Sequence, residues 1–295
     1  MSLDRLYLDL LDEAPVAPPP GGRARLLATA AARRRPAVDC VSWARPYAGR
    51  VAAMDAVLAS ATAWDVEIVE GWHLQELLGH LTAKDGLVAA AVGAPVHGPP
   101  ITDDEPMART AALHAHERSR SLLETRRSWR DQADALCHAL AGADPARVIT
   151  AGDLRLPVGD QVLGRALETW IHTHDAAVSE GLNLPRPTAA ELHPMADLCA
   201  RLLPVTALLS GLDAGDRSVR LTLTGDGGGD WHIPLLPTRR AAGYEGQEVA
   251  LSVRADAAEY CFVLGGRGAG HEWEAEGDLA LAADLRAAAP VLSGP

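Results

Sequence analysis

The sequence predicts an α+β protein of two domains, a helical one followed by a small α+β one. Two observations predict it. Between Tyr47 and Leu209, apolar residues recur at helical spacing in one long segment after another. After Gly211 the period changes to two, as strands require, with glycine-rich turns between the apolar runs. The expected organisation is a helical, proline-rich extension over 1–44, a helix bundle over 45–212 and a small α+β domain over 213–295.

The elements follow in order. Leu3, Leu6, Tyr7, Leu10 and Leu11 make a short amphipathic helix over 1–12. Ala14 to Gly22 is a stiff linker containing Pro18-Pro19-Pro20. Arg23 to Arg35 reads as a basic helix stopped by Pro36. This extension is either an arm lying on the body or a segment that docks a protein partner. A helix from Tyr47 to Thr62 buries Val51, Met54, Val57 and Leu58. Gly71-Trp72-His73 leads into another, Leu74 to Val92, with Leu74, Leu77, Leu78, Leu81 and Val88 inward and His80 on the flank. Ala94 to Glu105 is a loop. Helix resumes from Pro106 to Leu123, and either continues or restarts over Trp129 to Ala141. Residues 144–159 are irregular, with a short extended pair around Val148 and Leu154.

Asp160 is a suitable N-cap and Gly181 a suitable stop, so Gln161 to Glu180 is one helix of about five turns. The next, Thr188 to Leu209, should bend or break at Pro204. Val219 to Thr224 and Trp231 to Leu235 form a hairpin around Gly225–Asp230. Val249 to Val253 is a strand, Asp256 opens a helix ending near Gly265-Gly266, and a strand over 271–276 and a helix over 278–288 complete the domain.

Composition narrows the function classes. A net charge of -12 lacks the basic footprint that nucleic acid or an anionic membrane selects. No run approaches the length of a membrane span, and the N-terminus lacks a signal-peptide pattern. Cys40, Cys137, Cys199 and Cys261 are scattered without a C-x-x-C pair, which suits reduced thiols in a cytoplasmic protein. Lys84 is the only lysine; arginine carries the remaining basic charge.

The chemistry concentrates in Arg165-Ala-Leu-Glu168-Thr-Trp170-Ile-His172-Thr-His174-Asp175. On a helical wheel Leu163, Leu167, Trp170, Ile171, Ala177 and Val178 form the buried face. Glu168, His172 and Asp175 share one flank, with Arg165 beside His172. His174 falls within the buried face and reads as a packed core histidine. Residues at i and i+4 point at one spot, so Glu168 and His172 can converge. That spacing also describes an ordinary polar pair on a solvated face. His80, on the flank of another apolar helix, can look into the same crevice. Two histidines and one carboxylate leave coordination positions open, as a catalytic zinc or ferrous iron site does.

Gly71-Trp72-His73-Leu74-Gln75-Glu76-Leu77-Leu78-Gly79-His80-Leu81 and Arg165-x-x-Glu168-x-Trp170-x-His172-x-x-Asp175 resemble the paired signatures of the mycothiol-dependent maleylpyruvate isomerase family, within the DinB-like superfamily. The resemblance covers about 45–290. It implies a DinB-like four-helix bundle followed by the small α+β domain, zinc or another divalent metal on His80, Glu168 and His172, and mycothiol as the cofactor that binds it. Position 73, usually a threonine N-cap in that family, is His73 here. The family's isomerase has a C-terminal arginine that reaches toward the site; Leu264-Gly265-Gly266-Arg267 matches best, which makes Arg267 the implied catalytic residue.

The implied function is that of a zinc- and mycothiol-dependent isomerase or S-transferase acting on a small electrophile, with actinobacterial affinity. A thiolate formed there adds to an activated double bond or displaces a leaving group, and Arg267 holds a substrate carboxylate. A ferrous oxygenase uses the same donor set. A regulatory reading rests on Ala14–Leu27, which resembles the stretch after the zinc-binding domain of actinobacterial anti-sigma factors; the H-x-x-x-C-x-x-C motif of that domain is absent.

Overall fold

The computed structural model describes residues 20–33, 35–62, 64–236, 249–268 and 270–293. The chain divides into two compact units, Met1–Pro36 and Ala37–Pro295. In the first, α1 (Gly22–Arg33) is the predicted basic helix. The helix expected over 1–12 and nearly all of the proline linker lie outside the described residues.

The second unit is α+β. Helices α2 (Arg45–Leu58), α3 (Leu74–Val92), α5 (Leu122–Ala139) and α6 (Val158–Ser179) form a four-helix bundle: α2 lies along α6 and α3 along α5. Helix α4 (Pro106–Glu117) packs on the outside of α3. The bundle interior is filled by Tyr47, Met54, Leu77, Leu78, Leu81, Trp129, Leu136 and Val162, all at most 1% exposed. A short hairpin, β1 (Val148–Ala151) and β2 (Leu154–Pro157), leads directly into α6.

Several boundaries differ from the sequence expectation. The helix expected to run from Pro106 to Leu123 ends at Glu117, and α5 starts at Leu122. Ser121 breaks the run: its hydroxyl accepts from the Glu124 N–H while Glu124 accepts from the Ser121 N–H, a reciprocal cap that starts a new helix. Helix α6 begins at Val158, so Asp160 lies inside its first turn, where it binds Arg201 at 2.7 Å instead of capping. Helix α7 (Ala189–Leu209) runs through both Pro194 and Pro204 without interruption. It is also long and apolar enough to cross a membrane by length and composition, contrary to the expectation, yet 56% of its apolar window is buried in the protein.

Helix α7 packs on α2 and α6 on one side and on the C-terminal elements on the other. Those are a four-stranded sheet in the order β4-β3-β5-β6 with α8 (Ala257–Leu264) and α9 (Leu279–Ala288). Strands β3 (Ser218–Thr224) and β4 (Gly229–Pro234) form the predicted antiparallel hairpin. Strand β5 (Leu251–Asp256) is parallel to β3, and β6 (Glu274–Gly277) antiparallel to β5. Val219, Leu221 and Leu223 alternate inward with Arg220 outward, so the period-two pattern marks one buried face. Gly227 has φ +78° and lies so close to α7 that a Cβ would stand 2.8 Å from the His193 nitrogen. The hairpin turn can meet the helix only without a side chain there.

Candidate metal centre

Helix α3 presents His80, and α6 presents Glu168 and His172. One ligand atom from each lies within 4.8 Å of the others, the sole such histidine–carboxylate cluster among the described residues. His80 is 1% exposed and His172 2%. The Glu168 side chain keeps 26% exposure, toward the cavity beside it.

Both histidines are oriented through Nδ1. The Thr110 hydroxyl donates to the Pro106 carbonyl at 2.9 Å, so its oxygen accepts the His80 Nδ1–H at 3.1 Å. That tautomer leaves a lone pair on His80 Nε2, which lies 2.8 Å from Glu168 Oε1. The two atoms converge on one point, where a ring proton or a metal ion can join them. Burial works against the proton and outweighs the attraction of Glu168, holding His80 down at about 4. The donor set therefore fits a metal ion. His172 donates Nδ1–H to Asp175 Oδ2 at 3.2 Å, which turns its Nε2 outward as well.

Each partner is itself anchored. Asp175 accepts from Arg267 Nε at 3.0 Å and Nη2 at 2.7 Å. Burial raises the Asp175 carboxyl, but its bonds from His172 and Arg267 win and hold it below the usual carboxylate range. Arg165 binds Asp85 Oδ1 at 2.8 Å and also Glu168 Oε2. Desolvation opposes ionisation of Glu168, and Arg165, Lys84 and His80 together overcome it, keeping the carboxylate charged. Arg165 and Asp85 form a buried ion pair beneath the cluster, and burial pushes the Asp85 carboxyl up despite Arg165.

Trp72 of the first signature packs its ring 5.0 Å from His80 and 5.2 Å from His114, closing the cluster on that side. His73 begins α3 with help from Glu76, whose carboxylate accepts from the His73 backbone at 3.0 Å. Glu70, with φ +53°, makes the turn that brings Trp72 into place. His174 departs from the wheel: it is exposed, with its ring tilted against Phe262 of α8 at 4.9 Å. Val178, expected inward, is 62% exposed.

A cavity of about 540 Å³ adjoins the cluster. Glu168, His172, Lys84 and Arg267 line it, among apolar side chains from α3, α6, α7 and the C-terminal region. The loops over 94–105 and 144–159 contribute Glu105, Asp153 and Leu154, while Leu198 and Leu202 of α7, Leu264 and Gly265 and the stretch from Val291 to Ser293 supply much of the rest. The cysteines, scattered in sequence, come together in pairs in space, Cys40 with Cys137 and Cys199 with Cys261. Cys199 also borders the cavity. No spacing rule could bring Asp85, Thr110 or Cys199 to the site, because each arrives by helix packing.

The fold and cluster together define the class: an α+β protein whose four-helix bundle gathers two histidines and a glutamate beside a cavity. Residues 44–177 match the family model of the mycothiol maleylpyruvate isomerase N-terminal domain. Crystal structures of the mycothiol-dependent maleylpyruvate isomerase and of a mutant of it share the fold. The mutant aligns with TM-score 0.53 and 14% identity, the other with 0.51 and 15%. Each alignment covers 79% of this chain and 91% of the other. No curated protein matches the chain by sequence.

Proposed function

We propose that this protein is a cytoplasmic, mycothiol-dependent isomerase or S-transferase for a small electrophile, with zinc held by His80, Glu168 and His172. The observation that carries the metal assignment is the convergence of ligand atoms of His80, Glu168 and His172 within 4.8 Å of one another. The thiol assignment is supported by the family of the bundle segment. Bound zinc supplies a Lewis acid that lowers the pKa of a thiol at an open position.

The remaining work falls to the chain. Thr110 and Asp175 fix the histidine tautomers, and Arg165 fixes the Glu168 carboxylate. The apolar cavity walls exclude water from an electrophile of modest size. Arg267 positions Asp175, and through it His172; it touches substrate when a carboxylate competes with Asp175 for its guanidinium. The N-terminal unit is the segment through which a protein partner would dock.

Purified protein should carry about one zinc per chain, as three protein ligands with an open position imply. His172→Ala should lose most of it at unchanged fold, measured by elemental analysis and circular dichroism. A variant that kept its full metal content would sink the ligand assignment. The donor set also suits ferrous iron, and the same elemental analysis after anaerobic purification decides between the metals. Binding of mycothiol to the metal-loaded protein but not to the metal-free protein tests the thiol.

A further inference from the structure

The cavity beside the metal cluster has two unlike walls. Its charged groups come mainly from one side: Lys84 of α3, Glu105 ahead of α4, Asp153 in the β1–β2 turn, and Asp160, Arg165 and Glu168 of α6. The other wall comes from α7 and the C-terminal region. Leu198, Leu202 and Leu209 stand at i, i+4 and i+11 on α7, so they share one face of that helix. Leu264 at the end of α8 joins them, with Val291 and Leu292 from the short helical turn after α9.

The few polar groups of this wall are turned to their own chain. The Thr206 hydroxyl donates to the Leu203 carbonyl at 2.8 Å, and the Ser293 hydroxyl to the Pro290 carbonyl at 2.6 Å. Cys199 pairs with Cys261. Arg267, the only charged side chain of this wall among the described residues, is held by Asp175. The wall therefore offers a ligand a hydrocarbon surface. It is also left partly open: Leu209 is 57% exposed and Val291 45%, while Leu202 and Leu292 are half-buried. Single exposed leucines are ordinary on a protein surface, but apolar side chains left open around one cavity mark a place where hydrocarbon displaces water. A volume of about 540 Å³ lies within the range of small-molecule sites. An electrophile that reached only the metal cluster would leave this wall in water.

We propose that the wall built by α7 and the C-terminal region is an apolar subsite, and that the electrophile taken here carries an uncharged alkyl or aryl body that lies along Leu198, Leu202, Leu209, Leu264, Val291 and Leu292. The inference rests on the proposed function in taking the cavity's occupant as the electrophile. It gives that electrophile a chemical class: a hydrocarbon chain or ring with its reactive carbon at the end nearest the cluster.

Straight-chain alkanols are unreactive probes of the body alone. Their binding to the purified full chain is measured by calorimetry, with the metal content and oligomeric state of each sample recorded. From n-butanol to n-octanol, affinity should rise about three- to fourfold per methylene, as burial of each one implies. Leu209→Asn and Val291→Asn alter side chains already partly in water, so the fold should survive, which circular dichroism checks. The double variant should weaken n-octanol binding about tenfold, the effect of removing two apolar contacts, and n-butanol binding far less. Leu209→Asn alone supplies the reading if the double variant misfolds. Leu123→Asn, at an exposed leucine of α5 outside the cavity, should change neither. The subsite is overturned if n-octanol binds no more tightly than n-butanol, if the wall variants bind n-octanol as the wild type does, or if Leu123→Asn weakens it as much. It is also overturned if the wild type is a dimer that the wall variants dissociate and no alkanol binds, since a second copy then covers the wall. Metal separates the two ideas. Chelation should leave alkanol binding unchanged, because the wall holds none of the three ligands. A wild type without metal removes the proposed function, while the chain-length dependence still reads the wall.

Discussion

At the residue scale, the site is built by giving every donor a second partner. Two buried histidines turn Nδ1 to Thr110 and Asp175, which leaves both Nε2 atoms facing the cluster. Asp175 is the most exposed to test, because it connects His172 to Arg267. Asp175→Asn keeps the shape and removes the charge. It should weaken metal affinity about 10–100-fold, the usual cost of losing an outer carboxylate on a ligating histidine, in a competitive chelator titration. Arg267→Leu should produce part of the same loss, and the double variant should lose less than the sum, since both act through one contact. His80, Glu168 and His172 were legible from spacing and motif. His174 was misplaced because a wheel assigns faces and not their neighbours: α8 reaches that stripe only with Phe262.

At the element scale, the junction between α6 and the end of α8 controls the wall of the cavity. Gly265 sits against Ile171 so tightly that a Cβ would meet Ile171 Cδ1 at 1.9 Å. Ile171 is itself buried between the ligand residues Glu168 and His172 and cannot easily turn away. Gly265→Ala should therefore destabilise the protein by about 1–3 kcal/mol, as overpacking does, in a denaturant titration. Adding Ile171→Val, which deletes Cδ1, should recover much of that loss; no recovery would place the strain elsewhere. Helix existence was legible from periodicity, and so was the hairpin β3–β4. Ends were less legible. The Ser121 cap and the start of α6 at Val158 follow from side-chain bonds that compete with the simpler cap expected at Asp160.

At the scale of the whole molecule, the metal cluster joins two helices that are 88 residues apart at His80 and Glu168. A bound ion therefore cross-links the bundle, and native-state binding should stabilise it by mass action. The metal-loaded protein should melt at a higher temperature than the chelator-treated protein, and the gap should widen with metal concentration in differential scanning calorimetry. His172→Ala should show little of that gap. A wild type whose melting temperature ignores metal would contradict the cross-link. The paired cysteines belong to this scale too: Cys199 and Cys261 come from α7 and α8, and burial with mutual contact pushes the Cys261 thiol well up.

The sequence by itself determined the order and type of the elements, the change of period after Gly211 and the residues that could hold a metal. Those features are written locally: a helix period, a strand period and an i,i+4 pair need only near neighbours. Only the tertiary structure decided that His80 Nε2 faces Glu168, that Asp175 ties His172 to Arg267, and that Lys84 lines a cavity beside Glu168. These depend on contacts between helices far apart in sequence and on the C-terminal region closing one wall, and no local period encodes them.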